Sequence, residues 1–167
     1  MGREKDAALE KPVRALIVCL ALTISSLACR AQEAPLTALV ARYAQANGVP
    51  VALVDRVIMR ESRFNPRLHH GRSFWGLMQI RPATARSLGY RGRPEGLLDP
   101  QTNLTYGVLY LANAWRVARG DAALAVRLYS TGYYYAAKRR GLLKLIRTRA
   151  VPAPQLVAAA TPTPPRR

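Results

Sequence analysis

The sequence predicts a single all-α domain, and three observations lead to this prediction. Apolar residues recur at helical spacing through most of the chain. The segments between them carry the Gly, Pro and Asp residues that end and begin helices, and no strand-like alternation is long enough to require a sheet. The chain has 167 residues, and half of them are hydrophobic, which is sufficient for one core.

Residues 1–31 predict an export signal. An uncharged run over 15–28 is fourteen residues long, too short for a typical membrane-spanning helix. Four basic residues precede it: Arg3, Lys5, Lys11 and Arg14. Small residues at Ala28 and Ala31 fit a cleavage site. We therefore interpret 1–31 as a signal peptide and expect a periplasmic or secreted protein, with an uncleaved membrane anchor as the alternative.

The two cysteines leave a further question about anchoring. Cys19 lies in the uncharged run, so cleavage would leave a chain that forms no internal disulfide. Cys29 follows Ser26-Leu27-Ala28, which resembles a bacterial lipoprotein box except that Ser26 stands where that pattern has Leu. Two interpretations stay open: lipid attachment and membrane anchoring through Cys29, or an ordinary cysteine near the cleavage site.

The chain is strongly basic, with a formal net charge of +17. Removal of 1–28, which carries four basic and three acidic groups, leaves about +16. Such a charge favours polyanionic partners. For an exported chain we expect an acidic cell wall rather than nucleic acid, because the basic residues are scattered and no nucleic-acid recognition motif is present.

Two helices are predicted in the first half of the domain. Leu36, Leu39, Val40 and Tyr43 form one apolar face of a helix that ends at Asn47-Gly48. A second helix begins at Pro50. It ends by about Phe64, because the residue before Pro66 disfavours helical backbone.

The segment 67–75 is predicted as a loop. Phe74 and Trp75 either stack on a sugar or pack locally. His69 and His70 are adjacent, but neither Cys nor a second acidic ligand lies nearby, so we expect no metal site.

The second half of the domain is predicted as four helices and a tail. Pro82 begins a short helix that ends near Gly89, and 90–98 is a loop. Asp99 caps a long helix that runs to about Arg119, and Asp121 caps a helix over 122–129. A basic helix with Lys138, Arg139 and Arg140 follows. The proline-rich segment 151–167 predicts a disordered tail.

Glu61 stands in line with the apolar face of the second helix. Val54, Val57 and Ile58 precede it by seven, four and three residues, which is the spacing of one helix face. Burial of an unpaired carboxyl raises its pKa and keeps it able to donate a proton. The alternative is a Glu at a helix end that pairs with Arg60 or Arg63, and the spacing leaves both open.

Motifs around Glu61 resemble a known family. Arg60-Glu61-Ser62-Arg63-Phe64-Asn65-Pro66 is followed by Gly76-Leu77-Met78-Gln79-Ile80, which starts fifteen residues after Glu61, and then by Pro82-Ala83-Thr84-Ala85, Asn103-Leu104, Tyr106-Gly107, Tyr110-Leu111 and Tyr129. The series resembles the soluble lytic transglycosylase (SLT) domain of peptidoglycan-cleaving enzymes. The resemblance covers about 36–143 and implies a goose-lysozyme-like helical domain over 36–147, with a catalytic helix and a cleft.

The resemblance also implies a mechanism without a cofactor. Glu61 would protonate the glycosidic oxygen between N-acetylmuramic acid and N-acetylglucosamine. It would then accept the proton of the muramoyl 6-hydroxyl, which closes a 1,6-anhydro ring. Asp55 points away from Glu61 along the helix, and Asp99 and Asp121 are expected as caps, so we expect no second carboxylate.

Other roles carry over at matching positions. Gly76 would let the backbone approach the glycan, Met78 and Gln79 would line the cleft, and the hydroxyls of Tyr110 and Tyr129 would point toward Glu61 or the substrate, unless these tyrosines are core residues. The chain departs from the family pattern in two places. His70 stands where family members often have Ser, and Ser130 replaces an Asn.

These departures leave three interpretations of function. The first is a lytic transglycosylase that acts on peptidoglycan strands as a monomer. The second is a lysozyme-type hydrolase, in which water replaces the 6-hydroxyl. The third is a catalytically idle, basic protein that binds the wall. An association with a secretion apparatus is compatible with the enzyme and with the idle protein.

Overall fold

The computed structural model describes residues 36–150. The predicted signal peptide 1–31, with Cys29, and the predicted tail 151–167 lie outside the described residues, so the interpretations made for them stay predictions. From Leu39 onward the described residues belong to one compact unit. Helices make up most of this unit, and the predicted all-α class is confirmed. Between 36 and 150, no helix is both long and apolar enough to cross a membrane.

The first two helices follow the sequence signals closely. Residues 36–47 are helical (α1), and Gly48 follows with a φ of 66°. Helix α2 spans Val51–Ser62 and is preceded by Pro50, as predicted. Its end is a left-handed residue, Arg63, whose N–H donates to the Met59 carbonyl. Val54, Val57 and Ile58 on its predicted apolar face are fully buried.

The segment 67–75 contains a small β-hairpin, which corrects its prediction as a loop. Strand β1, His69–His70, pairs antiparallel with β2, Phe74–Trp75. Each strand has two residues, which is too short for an alternating pattern to be recognised in the sequence. The ring of His69 stacks on that of Trp75 with centroids 5.2 Å apart.

A second correction concerns the predicted loop 90–98. Helix α3 spans Pro82–Ser87, and Pro94–Leu98 then forms a 3₁₀ helix. The Tyr90 hydroxyl donates to the Arg93 carbonyl at 2.6 Å, and Leu97 is fully buried. Local side-chain anchoring therefore orders a segment whose glycine and proline content predicts only a turn or loop.

The long central helix α4 spans Pro100–Val117, and α5 spans Ala122–Thr131. Both predicted caps are confirmed. Asp99 accepts a hydrogen bond from the Thr102 N–H at 2.7 Å, and Asp121 accepts one from the Leu124 N–H at 2.9 Å. Helix α4 packs against α5 and against the 3₁₀ helix before it.

The C-terminal part of the described chain is held by a buried amide. Helix α6, Tyr134–Arg139, and a 3₁₀ helix, Leu143–Leu145, complete the fold. Asn113 on α4 donates to the Arg147 carbonyl at 2.8 Å and accepts from the Arg147 N–H at 2.9 Å. Because the same amide also donates to the Tyr133 hydroxyl, it fixes this part of the chain to α4.

Candidate functional site

Glu61 lies in the last turn of α2 and opens onto a cleft. Its side chain is 23% exposed and forms a salt bridge with Arg60, whose Nε lies 3.1 Å from Oε1. The same guanidinium donates to the Ser130 hydroxyl at 2.6 Å. The expectation of a buried, unpaired carboxyl is wrong, because the apolar face of α2 emerges from the core at this turn and Arg60 folds over the carboxylate. The alternative, pairing with Arg60, is confirmed.

The cleft has a volume of about 650 Å³, and twelve residues line it. Glu61 is the one carboxylate among the described residues of this lining. The residues are Arg60, Glu61, Phe74, Gln79, Ile80, Arg81, Thr84, Tyr110, Tyr129, Ser130, Thr131 and Gly132. Four of the predicted site residues therefore meet here, Glu61, Gln79, Tyr110 and Tyr129, whereas Gly76 and Met78 do not line the cleft.

Gly76 and Met78 lie in the turn behind the cleft wall. A Cβ on Gly76, which has a φ of 70°, would lie 2.3 Å from the Asn103 amide nitrogen and from the Leu97 carbonyl oxygen. The close approach that glycine allows is therefore to the protein itself. Met78 is fully buried, and its sulfur would lie 2.6 Å from a Cβ added at Gly107.

Asn103 on α4 fixes this turn and was not predicted to have a role. Its buried side chain accepts from the Met78 N–H at 2.8 Å and donates to the carbonyls of Trp75 and Leu97, each at 2.7 Å. The turn is closed by mutual hydrogen bonds between Trp75 and Ile80, both of 3.2 Å. A polar residue on the buried face of a predicted helix is the signal that points to Asn103.

The side chain of Gln79 is held on both ends of its amide. Its Nε2 donates to the Leu68 carbonyl at 3.0 Å and to the Gly76 carbonyl at 2.7 Å. Oε1 lies 2.7 Å from Nδ1 of His70. Because both amide hydrogens are used, Oε1 is the acceptor and His70 carries its proton on Nδ1. Gln79 keeps one acceptor position for a ligand, and His70 has a defined partner.

Two tyrosines from different helices meet in the cleft. The Tyr129 hydroxyl donates to the Met78 carbonyl at 2.6 Å, so it is directed at the turn rather than at Glu61. The ring of Tyr110 contacts that of Tyr129, edge to face, at 5.4 Å. Burial raises the pKa of Tyr129 well above its ordinary value, and the nearby charge of Glu61 raises it further.

Burial likewise raises the pKa of Tyr110, and the charge of Arg81 opposes this shift. Both phenols are therefore neutral near pH 7. Tyr110 has no hydrogen-bond partner within the part of the chain that the structure describes, so its hydroxyl is available to a ligand in the cleft.

The two aromatic candidates, Phe74 and Trp75, lie in different environments. Phe74 lines the cleft, and the Arg81 guanidinium lies over its ring, 4.7 Å from the centroid. Trp75 is buried in an apolar cluster with Ile80, Ala85 and other residues of the wall, so local packing is confirmed for it. Neither Arg60 nor Arg81 was predicted as a site residue, because arginines are spread along the whole sequence.

The described residues offer no ready metal centre. Between 36 and 150, no group of three or more His, Cys, Asp or Glu side chains comes together. His69 stacks on Trp75 and His70 bonds to Gln79, so each histidine has a role in the hairpin.

Fold and cleft together define a lysozyme-like helical domain with a single carboxylate at the cleft. The sequence matches the family model of the transglycosylase SLT domain over residues 38–142, and the chain belongs to this family. The matched segment contains all the elements that line the cleft.

Several known proteins are similar to this chain. The soluble lytic murein transglycosylase of Escherichia coli is 29% identical over 97 residues, which cover 54% of this chain and 15% of that protein. The peptidoglycan transglycosylase gp16 of Escherichia phage T7 is 33% identical over 94 residues, or 54% of this chain and 7% of that protein.

A third relative is the endo-type membrane-bound lytic murein transglycosylase A of Klebsiella pneumoniae, 35% identical over 72 residues that cover 39% of this chain and 36% of that protein. The crystal structure of the 70 kDa soluble lytic transglycosylase SLT70 from Escherichia coli superposes with a TM-score of 0.54 and 27% identity. The superposition covers 62% of this chain and 18% of that one. The chain thus spans well under half the length of these relatives.

Proposed function

We propose that the protein is a lytic transglycosylase. It cleaves the β-1,4 bond between N-acetylmuramic acid and N-acetylglucosamine in peptidoglycan and forms a 1,6-anhydromuramoyl end. The observation that carries this proposal is Glu61, the one carboxylate in the described lining of the cleft, in a chain of the SLT family. The names of the similar proteins support the same substrate and reaction.

A single carboxylate suits a mechanism in which one group acts twice. Glu61 donates a proton to the glycosidic oxygen and then accepts one from the muramoyl 6-hydroxyl, which attacks within its own sugar. No water needs to be activated, so no second carboxylate at the spacing used by two-carboxylate glycosidases is required.

The salt bridge with Arg60 belongs to the ligand-free cleft in this proposal. Proton donation needs a protonated Glu61, whereas the ion pair needs a carboxylate, so a sugar that enters must open the pair. The Arg60 guanidinium is partly exposed and reaches Ser130 on α5. Opening the pair breaks contacts between side chains and no main-chain hydrogen bond of α2.

The neutral groups of the cleft supply hydrogen bonds to the glycan. The free acceptor position of Gln79 Oε1 fits an amide N–H or a hydroxyl, and the unbonded hydroxyl of Tyr110 fits an oxygen. Tyr129 positions the turn through Met78 rather than the sugar. Export to the periplasm or beyond, action as a monomer and association with a secretion apparatus remain predictions that accompany this function.

Mass spectrometry of peptidoglycan digests tests the proposal. We expect anhydro-muropeptides from the wild type and from Asp55→Asn, a carboxylate on the same helix outside the cleft lining. Glu61→Gln should release at least about a thousandfold less, because the acid is lost. Products heavier by one water would identify a hydrolase. Binding to peptidoglycan without any product would identify an idle binding protein.

A further inference from the structure

The charges of the cleft do not balance. Three charged side chains line it: Arg60, Glu61 and Arg81. Arg60 and Glu61 neutralise each other through their salt bridge. The guanidinium of Arg81 forms no salt bridge and no hydrogen bond with any residue from 36 to 150, so one positive charge is left on the cleft wall.

Arg81 is also held in place. Its guanidinium lies over the Phe74 ring at 4.7 Å, a cation–π arrangement that orients the group and leaves its N–H edges open. The backbone of Arg81 is extended, with a φ of −76° and a ψ of 139°. It is preceded by Ile80, which is hydrogen-bonded to Trp75, and followed by Pro82, which restricts its backbone. The guanidinium of this exposed residue lines the cleft and is oriented by its contact with Phe74.

An open guanidinium edge fits a carboxylate, with which it forms two parallel charge-assisted hydrogen bonds. The sugar rings of the proposed substrate carry no carboxylate of their own. Carboxylates occur on the side arm of the muramoyl unit, either in the peptide stem or, where the stem has been removed, on the lactyl group. A cation fixed in the cleft therefore faces the one anionic part of such a strand.

We propose that Arg81 binds a carboxylate of the muramoyl side arm, and that the charge of this side arm determines which strands the cleft accepts. The proposal rests on the proposed function, because it takes its ligand from the same substrate. It assigns Arg81 to substrate choice and leaves the proton transfers to Glu61.

Three substrates and three proteins test it. The substrates are soluble strands with stems, strands stripped of stems by an amidase, and strands with stems whose carboxylates have been converted to primary amides. The proteins are the wild type, Arg81→Gln and Arg56→Gln. Arg56 is exposed on α2 outside the cleft lining, so its loss removes the same charge elsewhere.

We expect the wild-type KM to rise about tenfold on the amidated strands with little change in kcat, as for a lost charge-assisted pair at a partly exposed site. Arg81→Gln should show this high KM on strands with stems and no further rise on amidated ones. Arg56→Gln should behave as the wild type. If Arg81→Gln raises KM only on strands with stems, the ligand is a stem carboxylate; if it raises KM on stripped strands as well, Arg81 also binds the lactyl carboxylate that the amidase exposes.

Equal KM values for Arg81→Gln and the wild type on every substrate would overturn the proposal. So would an equal effect of Arg56→Gln, because general charge attraction would then be sufficient. Calorimetry measures how tightly the strands bind to Glu61→Gln and to the double variant that carries Glu61→Gln and Arg81→Gln. This measurement needs no turnover. Absence of product from the wild type would therefore count against the proposed function, while the affinities would still decide the role of Arg81.

Discussion

Among single residues of the cleft, Gln79 has the most constrained side chain. Two main-chain carbonyls take both hydrogens of its amide, and the remaining oxygen accepts from Nδ1 of His70. This explains how His70 can occupy a position where family members often carry Ser. The imidazole holds a cleft amide in one orientation.

Replacing His70 tests this contact directly. His70→Leu removes the donor to Gln79, and we expect strand cleavage, measured as kcat/KM, to fall about five- to tenfold, the equivalent of one lost hydrogen bond. His70→Asn keeps an N–H on an atom attached to Cγ and should stay within about twofold of the wild type.

An equal loss in both variants would mean that the hairpin, rather than the hydrogen bond, depends on His70.

The sequence identifies some of the site residues and misses others for a physical reason. Glu61 and Gln79 are found because they stand at fixed spacing in a motif. Arg60 is expected only as one alternative partner of Glu61, and Arg81 is missed, because Lys and Arg together account for 26 of 167 residues and no pattern distinguishes a cleft cation from a surface one. Their roles depend on contacts with Ser130 and Phe74, which are distant in sequence or belong to an unpredicted strand.

At the scale of secondary-structure elements, the turn from Trp75 to Ile80 depends on α4. Asn103 reaches from α4 into this turn and bonds to three main-chain groups. Tyr129 of α5 bonds to the same turn through the Met78 carbonyl. The wall of the cleft that carries Gln79 is therefore anchored by side chains of two helices in addition to the main-chain hydrogen bonds of the turn itself.

We expect Asn103→Ala to lower the free energy of unfolding by about 3 kcal/mol, because it removes three buried hydrogen bonds to main-chain groups. Asn65→Ala provides the matched control. Asn65 accepts one exposed hydrogen bond, from the Arg67 N–H at 2.9 Å, and its loss should cost less than about 1 kcal/mol. Urea unfolding measures both, and a cost for Asn103→Ala no larger than that for Asn65→Ala would contradict the anchoring role.

Helices that begin at a capping residue could be predicted from the sequence, whereas the hairpin, which has no such residue, could not. Asp99 and Asp121 cap their helices as expected because a cap is a local interaction between residues three positions apart. The hairpin of His69–His70 and Phe74–Trp75 is stabilised instead by ring stacking and by the turn that follows it. Such tertiary contacts have no counterpart in local sequence pattern.

Across the whole molecule, three tyrosines join α4, α5 and the start of α6. Tyr110 contacts Tyr129 at 5.4 Å and Tyr133 at 4.7 Å between ring centroids. Burial raises the pKa of Tyr133 to about 12, against an opposing hydrogen bond from Asn113. The pKa values of Tyr110 and Tyr129 are raised for the same reason.

This cluster predicts a loss of stability in alkali. Above pH 10 the tyrosines of the unfolded chain release protons before those of the folded chain, so the unfolded state is favoured as the pH rises. Each buried tyrosine should contribute up to about 1.4 kcal/mol per pH unit until its folded pKa is reached. Below about pH 9 these groups give no pH dependence.

Tyr133→Phe should be less stable than the wild type at pH 8 by about 1 kcal/mol, since it loses the bond from Asn113. Its stability should fall less steeply between pH 10 and pH 12. Tyr135→Phe, at a side chain that is 72% exposed, should follow the wild type throughout. Urea unfolding across this pH range measures the slopes, and parallel curves for Tyr133→Phe and the wild type would refute the prediction.

The fit between Met78 and Gly107 has a consequence for how such a domain can diverge. A Cβ on Gly107 would come within 2.6 Å of the Met78 sulfur and 2.9 Å of its Cβ. A larger residue at 107 is tolerable only after the side chain at 78 has become smaller, because the opposite order passes through an overpacked core. Changes at the two positions therefore have a preferred order, and lineages with a larger residue at 107 should carry a smaller one at 78.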